Sequence, residues 1–176
     1  MKQLKYLVFT LLSILVTSMA QATDLTVQAS GTRTALPGTA AVYSTGSVFQ
    51  LKDGAVDFKI DARQPATRVE GGYNYSLVGP VALRGGVGTQ LGSSTGKWYY
   101  EAGVGVSDYP VYGKIVGSLG YNFRHSLNKV NTDTGRIWNV GVGYKLLPAT
   151  TLRVGFESTQ GITPQKSALV GLTQSF

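Results

Sequence analysis

The chain of 176 residues contains no cysteine and a single histidine. Without cysteine it can form neither a disulfide framework nor a thiolate metal site. After the N-terminal segment, no apolar run approaches the roughly 20 residues that a membrane-spanning helix requires, and the mean hydropathy is only +0.04. These absences exclude a disulfide-stapled domain and a bundle of membrane helices.

The first residues have the composition of an export signal. Lys2 and Lys5 flank the start of an apolar run over residues 7–16, and Ala20-Gln21-Ala22 fits an A-x-A cleavage site. The apolar run is too short to span a bilayer as a helix. We therefore expect residues 1–22 to be a cleaved signal peptide and residues 23–176 to form one exported domain.

Residues 136–158 alternate between apolar and polar positions around a break at residues 147–150. The apolar positions are Trp138, Val140, Val142, Tyr144, Leu146, Leu152, Val154 and Phe156. A period of two over two segments predicts a β-hairpin with one apolar and one polar face. The polar face consists of glycine and single charges, and the apolar face carries Trp138 and Tyr144 near its ends. This pattern is typical of strands in a transmembrane β-barrel.

The same alternation recurs along most of the chain and is least clear in residues 41–52. Tight turns are predicted at Asp53-Gly54, at Gly79-Pro80 and at residues 108–110 and 147–150, and longer polar segments lie between them. Seven strands fit residues 67–176, and the preceding stretch has room for about three more. We therefore predict an all-β, antiparallel up-and-down transmembrane barrel of ten strands, with eight strands as the alternative.

Charged residues fall on the predicted inner face. The cations there are Lys59, Arg63, Arg68, Arg84, Lys114, Arg124, Lys145 and Arg153, and the carboxylates are Asp57, Asp61, Glu70, Glu101 and Glu157. An unpaired buried charge costs several kcal/mol, so these groups should pair. Two interpretations stay open: a salt-bridged plug that stabilises the barrel, and a narrow pore whose cationic surplus favours anions. A barrel of this size is nearly filled by side chains, which favours the plug.

Aromatic residues cluster at the predicted strand ends, as in the interfacial belts of membrane proteins. The outer belt comprises Trp98, Tyr100, Tyr121, Phe123 and Trp138, and the periplasmic belt comprises Tyr75, Tyr144 and Phe176. The pairs Gly86-x-Gly88 and Gly103-x-Gly105 lack the third glycine of a dinucleotide-binding fingerprint. No cofactor, metal or nucleic acid is expected as a ligand.

The run G-V-G-Y-K-L-L-P-A-T-T-L-R-V-G-F-E, followed by a last strand ending in Phe176, resembles the closing hairpin of OmpA/OmpX/opacity-like barrels. Those are small, eight-stranded outer-membrane proteins of Gram-negative bacteria. The D-L-T-V segment and the hairpin at Asp53-Gly54 look more like short porin-like proteins related to oligogalacturonate channels. The resemblance also implies that Leu169, Gly171 and Phe176 form the signal read by the barrel-assembly machinery, although Gln174 departs from the usual apolar residue.

Together these features predict a monomeric protein of the cell outer membrane with a structural or surface-interaction role and no catalytic activity. Its expected partners are outer-membrane lipids and lipopolysaccharide, periplasmic chaperones and the assembly machinery. A small anion-preferring channel is the alternative. A lipid-modifying enzyme comes third. Outer-membrane lipid A deacylases use a histidine and a serine two positions apart, so that both point to the lipid. Here His125 and Ser126 are adjacent and would face opposite sides of a strand.

Overall fold

The computed structural model describes residues 24–34, 38, 40–63, 67–91, 97–127, 134–161 and 164–176. The predicted signal peptide lies outside these residues. The described strands are β1 (Asp24–Thr34), β2 (Val42–Asp53), β3 (Val56–Asp61), β4 (Thr67–Val78), β5 (Val81–Leu91), β6 (Lys97–Tyr112), β7 (Ile115–Ser126), β8 (Gly135–Leu147), β9 (Thr150–Gly161) and β10 (Gln165–Ser175). None of the described residues belongs to a helix that is long and apolar enough to cross a membrane.

The ten strands form one closed antiparallel barrel. Each strand pairs with its neighbours in sequence, and β1 pairs with β10 to close the sheet, with Val27 opposite Leu172. Closure gives every strand a partner on both sides, although the six-residue β3 pairs only with Val48–Asp53 of β2. Most backbone donors and acceptors of the strands are therefore satisfied within the sheet. The predicted ten-stranded barrel is confirmed, and the eight-stranded alternative is wrong.

The four connections at one end of the barrel are tight turns. They lie at Gly54-Ala55, Gly79-Pro80, Gly113-Lys114 and Pro148-Ala149. The first three open with a glycine whose φ is 54° to 55°, a conformation that residues with a Cβ rarely adopt. The other five connections are longer and join the strands at the opposite end, which gives the asymmetry between the two ends that the sequence predicts.

The predicted turn at residues 108–110 is wrong. Strand β6 continues to Tyr112, and the chain reverses at Gly113-Lys114, which the sequence pattern had placed on the next strand. Register shifts between Val106 and Tyr109 and between Pro110 and Tyr112 absorb Pro110 and the positive φ of Asp108, 56°. Such bulges accommodate proline and a left-handed residue within a strand, so the residues that usually mark a turn do not end β6.

The alternation places apolar side chains outside and charged ones inside. Val140, Val142 and Phe156 are 51%, 56% and 42% exposed, whereas Asp57 and Glu70 are 2% and 3% exposed. Even in β2, where the pattern is weakest, Tyr43 and Phe49 are exposed and Val48 is buried. The barrel therefore has an apolar outer surface and a polar interior, the reverse of a soluble barrel.

Candidate functional site

Arg84 is the centre of a buried ionic cluster on the inner wall formed by β3 to β7. Its guanidinium contacts Asp57 (Nη2–Oδ1, 2.8 Å), Glu70 (Nη1–Oε1, 2.5 Å) and Glu101 (Nη1–Oε1, 3.2 Å). Asn74 donates to the other oxygen of Asp57 from 2.6 Å. The contact with Glu70 Oε1 is an ion pair without hydrogen-bond geometry, since that oxygen has no hydrogen-bond donor among the described residues. Arg84 thus holds three carboxylates together.

Arg124 and Tyr99 extend this cluster toward β7. Arg124 donates from Nε and Nη2 to Glu101 Oε2, at 3.0 and 2.7 Å, and its Cζ lies 4.7 Å from the centre of the Tyr99 ring. Tyr99 is fully buried, and its hydroxyl donates to Glu70 Oε2 from 3.1 Å. The inward-facing Gly88 makes room for this ring, because a Cβ at that position would lie 2.6 Å from Tyr99 Cζ.

Two further ion pairs cross the interior. Arg63 follows β3 and contacts Asp61 next to it, and its Nη1 lies 2.8 Å from Glu157 Oε1 on β9. Nearer the tight-turn end, Arg153 Nη2 on β9 lies 2.6 Å from Asp108 Oδ1 on β6. Asp108 lies in the bulge of β6 and has a positive φ, and from this position its carboxylate reaches Arg153. We call these contacts the Arg63–Glu157 tie and the Arg153–Asp108 tie.

The two ties border the main cavity, which has a volume of about 330 Å³. Its described charged lining residues are Asp24, Lys52, Lys59, Arg63, Arg84, Glu101, Asp108, Arg153 and Glu157. A second cavity of about 20 Å³ lies toward the long connections, and Arg63 and Glu157 also line it. The Arg63–Glu157 tie therefore stands between the two spaces. The interior is a polar vestibule on the tight-turn side that narrows to an ionic cluster.

Most of the predicted inward charges meet in this interior. Arg63, Glu70, Arg84, Glu101, Arg124 and Glu157 belong to the ion pairs, Lys59 and Arg153 line the main cavity, and Arg68 lines the small one. Lys114 lies in the β6–β7 turn and is exposed, so the prediction that it lies on the inner face of a strand is wrong. Lys145 has the inner parity of β8 but is exposed beside a register shift at the tight-turn end, so its place in the interior stays a prediction.

Three contributors were missed from the sequence. Asp24 and Lys52 line the cavity near the tight-turn end, and Asp108 forms the second tie. Asp24 and Lys52 are opposite each other in the register of β1 and β2, on the inner parity of their strands. The parity of the strands identifies this pair, whereas the sequence pattern predicts a turn at Asp108 and therefore does not indicate its role.

His125 lies on the outer surface, apart from the ionic cluster. Its ring lies 5.4 Å from that of Tyr100 and 6.2 Å from that of Phe123, both in the predicted outer belt. Ser126 is buried and faces inward, so the two side chains point to opposite sides as expected. The described residues contain no group of three or more histidine, cysteine, aspartate or glutamate side chains that could hold a metal ion.

The three residues assigned to the assembly signal lie on β10 or directly after it. Leu169 is buried and faces inward, and Phe176 follows the strand and is 74% exposed. A Cβ on Gly171 would overlap the Val27 carbonyl oxygen and lie 2.6 Å from Gln28 Cα, both on β1. The close approach of β1 and β10 therefore explains a glycine at position 171 independently of any assembly signal. We call the junction of these two strands, where the barrel closes, the seam.

No family model and no curated protein matches this chain. Among solved structures it is similar to the N-terminal β-barrel domain of Pseudomonas aeruginosa OprF, with 11% identity over 88% of this chain and 98% of that one and a TM-score of 0.42. It is also similar to the translocator domain of the autotransporter NalP from Neisseria meningitidis, with 12% identity over 87% of this chain and 88% of that one and a TM-score of 0.47. The KdgM porin in complex with disordered oligogalacturonate is similar as well, with 13% identity over 86% of this chain and 99% of that one and a TM-score of 0.46.

These matches are outer-membrane β-barrels, the class that the sequence resemblance named. At these identities and TM-scores, however, they assign neither a family nor an activity to the chain.

Proposed function

We propose that this chain is an integral outer-membrane protein with a structural or surface-interaction role, whose interior is closed by ion pairs and carries out no catalysis. One observation supports it above all: most large apolar side chains are on the outside of a closed barrel, and buried arginines and carboxylates pair in its interior. Apolar outer surface of this extent is stable against acyl chains and would aggregate in water.

Strand length agrees with this role. Nine of the ten strands have 11 to 16 residues, and about 9–11 residues tilted near 45° cross the hydrocarbon core. Trp138, of the predicted outer belt, is the fourth residue of β8 from the long-connection end, and its ring centre lies 4.3 Å from that of Tyr121, in the middle of β7. The amphipathic ring of Trp138 suits the boundary between acyl chains and headgroups.

The ionic cluster supports the proposal of a closed interior. The Arg63–Glu157 tie separates the two cavities, and the Arg84 cluster fills the wall beside it. Buried pairs of this kind hold strands in fixed positions, and breaking one leaves an uncompensated charge. We infer that the ion pairs stabilise the barrel and block passage through it.

The proposal is tested by expressing the full chain in a Gram-negative host and separating the membranes. We expect the protein in the outer-membrane fraction, with residues 1–22 removed and with a gel mobility that changes on heating. In planar bilayers the purified protein should give no steady conductance steps. Recovery as a soluble periplasmic protein without detergent would reject the membrane role. Steady conductance of the unmodified protein would reject the closed interior alone.

A small anion-preferring channel is the second candidate, because cations line much of the main cavity. Lys52, Lys59, Arg84 and Arg153 all border it, and rings of positive side chains favour anions in pores. Steady conductance steps with anion selectivity, abolished by substitution of Arg84 or Arg153, would favour this candidate over the closed barrel.

A further inference from the structure

Three cations lie on the outer face of the barrel at the long-connection end. Arg33 is the second-last residue of β1, Lys166 is the second residue of β10 and Arg136 is the second residue of β8. All three share the parity of the apolar outer positions of their strands and are exposed. Each cation therefore lies at the long-connection end of a row of outward-facing apolar side chains. Ala168 and Val170 follow Lys166 in this row, and Trp138 and Val140 follow Arg136.

Arg33 and Lys166 are directly opposite each other across the seam between β1 and β10. Like charges in such a cross-strand pair repel and destabilise a sheet. Neither side chain forms an ion pair with any described residue, and no described carboxylate lies on the outer face at this end. Among the described residues the barrel thus carries a repulsive pair without a compensating carboxylate, and an external anion would relieve the repulsion.

Polar side chains link this pair to the third cation. On β9, Ser158 is opposite Lys166 on one side and Trp138 on the other, and Gln160 is opposite Arg136. Two strand spacings of about 4.8 Å and two residues of about 3.3 Å place Arg136 roughly 12 Å from Lys166. The patch therefore consists of two cationic points with hydroxyl and amide donors between them. We call it the seam patch: Arg33, Arg136, Ser158, Gln160 and Lys166.

The surroundings of the seam patch indicate the kind of anion. Tyr43 is opposite Arg33, and Trp138 and Phe123 adjoin Ser158 and Arg136 in the same cross-strand rows. A ligand there meets charge at one end and an apolar wall at the other. A phosphorylated lipid matches both, because its phosphates reach the cations while its acyl chains cover the apolar strands.

We propose that the seam patch binds the phosphorylated headgroup of a lipid in the leaflet at the long-connection end. This inference rests on the proposed membrane insertion. The opposite end lacks a similar patch among the described residues, since its exposed lysines, Lys114 and Lys145, lie in or beside turns, away from the seam. The patch thus gives the barrel one preferred lipid contact on one side of the membrane.

The test uses the full chain folded in neutral detergent, with lipid A bearing both of its phosphates as the probe. Native mass spectrometry measures the fraction of protein that retains the lipid, and enzymatically dephosphorylated lipid A is the ligand control. The variant Arg33→Gln/Lys166→Gln/Arg136→Gln is compared with Lys114→Gln/Lys145→Gln. Since each cation near anionic headgroups contributes separately, we expect the first variant to bind at least about tenfold more weakly and the second to bind as the unmodified protein does.

Equal retention of the two lipids, or equal losses in the two variants, would overturn the inference. Competition by inorganic phosphate at the same concentration as the lipid would also overturn it, because the patch would then recognise the free anion. Removing the repulsive pair should leave folding intact, and the change of gel mobility on heating checks this for both variants. Failure of the unmodified protein to insert into lipid vesicles would instead reject the proposed membrane role, and the inference with it.

Discussion

Arg63 and Glu157 meet across the barrel, with Nη1 and Oε1 2.8 Å apart, although the strands nearest to them lie four positions apart around a ring of ten. Because four of ten positions is close to opposite, the contact spans the interior. It joins two walls that no backbone hydrogen bond connects, and it lies between the two cavities.

Replacing Arg63 by alanine should open the interior. Loss of the guanidinium joins the cavity of about 330 Å³ to the smaller one, so we expect steady conductance steps where the unmodified protein shows none. Planar-bilayer recordings measure this, with the exposed outer residue Arg33→Ala as the matched control. A silent but correctly folded Arg63→Ala protein would mean that this tie does not close the barrel.

Replacing Arg84 by methionine should destabilise the barrel strongly. Asp57, Glu70 and Glu101 would lose their shared cation while still buried, which costs about 3–5 kcal/mol in the free energy of unfolding. Urea unfolding in lipid vesicles measures the loss. In contrast, Arg153→Met breaks a pair whose Asp108 partner is half exposed and one hydrogen bond, from Nε to Thr173 Oγ1 (2.6 Å). It should therefore cost less, about 1–3 kcal/mol. Similar losses in the two variants would contradict a special role for the Arg84 cluster.

Removing the Tyr99 hydroxyl should have a smaller effect than removing Arg84. In Tyr99→Phe the ring still packs against Arg124, but Glu70 loses the donor to its Oε2. A hydrogen bond to a buried carboxylate contributes about 1.5–3 kcal/mol, so the same urea assay should report a loss in that range. Tyr100→Phe, on the outer face, serves as the control and should leave the free energy of unfolding unchanged.

Gly171→Ala should disrupt the seam between β1 and β10. The added Cβ would overlap the Val27 carbonyl oxygen, and backbone cannot move aside as a flexible side chain can. We expect a reduced yield of the heat-modifiable folded form. In Gly31→Ala, on the facing strand, the Cβ meets nothing within 4 Å, and the yield should be normal. Normal yield of both variants would contradict the steric role of Gly171.

Much of the architecture could be predicted because alternation reports directly which face of a strand each residue occupies. That period places Glu101 inside and Val140 outside, and the spacing of the strands along the chain predicts their number. Turn signals failed at Asp108 and Pro110, since a bulge tolerates the same residues that end a strand. The error is local: the turn lies a few residues later than predicted, and Lys114 lies in that turn and not on the inner face of a strand.

Pairings across the interior could not be predicted in this way. Parity shows that Arg63 and Glu157 face inward, but which charges touch depends on the shear and tilt of the closed sheet. Neighbouring strands allow some inference, as for Glu101 opposite Arg124 in the β6–β7 register. For strands several positions apart, only the closed geometry brings the partners together.

The seam joins the two ends of the described chain, with Asp24 opposite Ser175 and their side chains 2.5 Å apart. The first and last strands of the barrel must therefore find each other, and closing so long a loop carries an entropic cost that grows with its length. Until β10 has been made, β1 exposes an unsatisfied edge on which a foreign strand could pair. A chaperone that shields this edge during export would prevent misassembly, and it would be released when β10 pairs with β1 and closes the barrel.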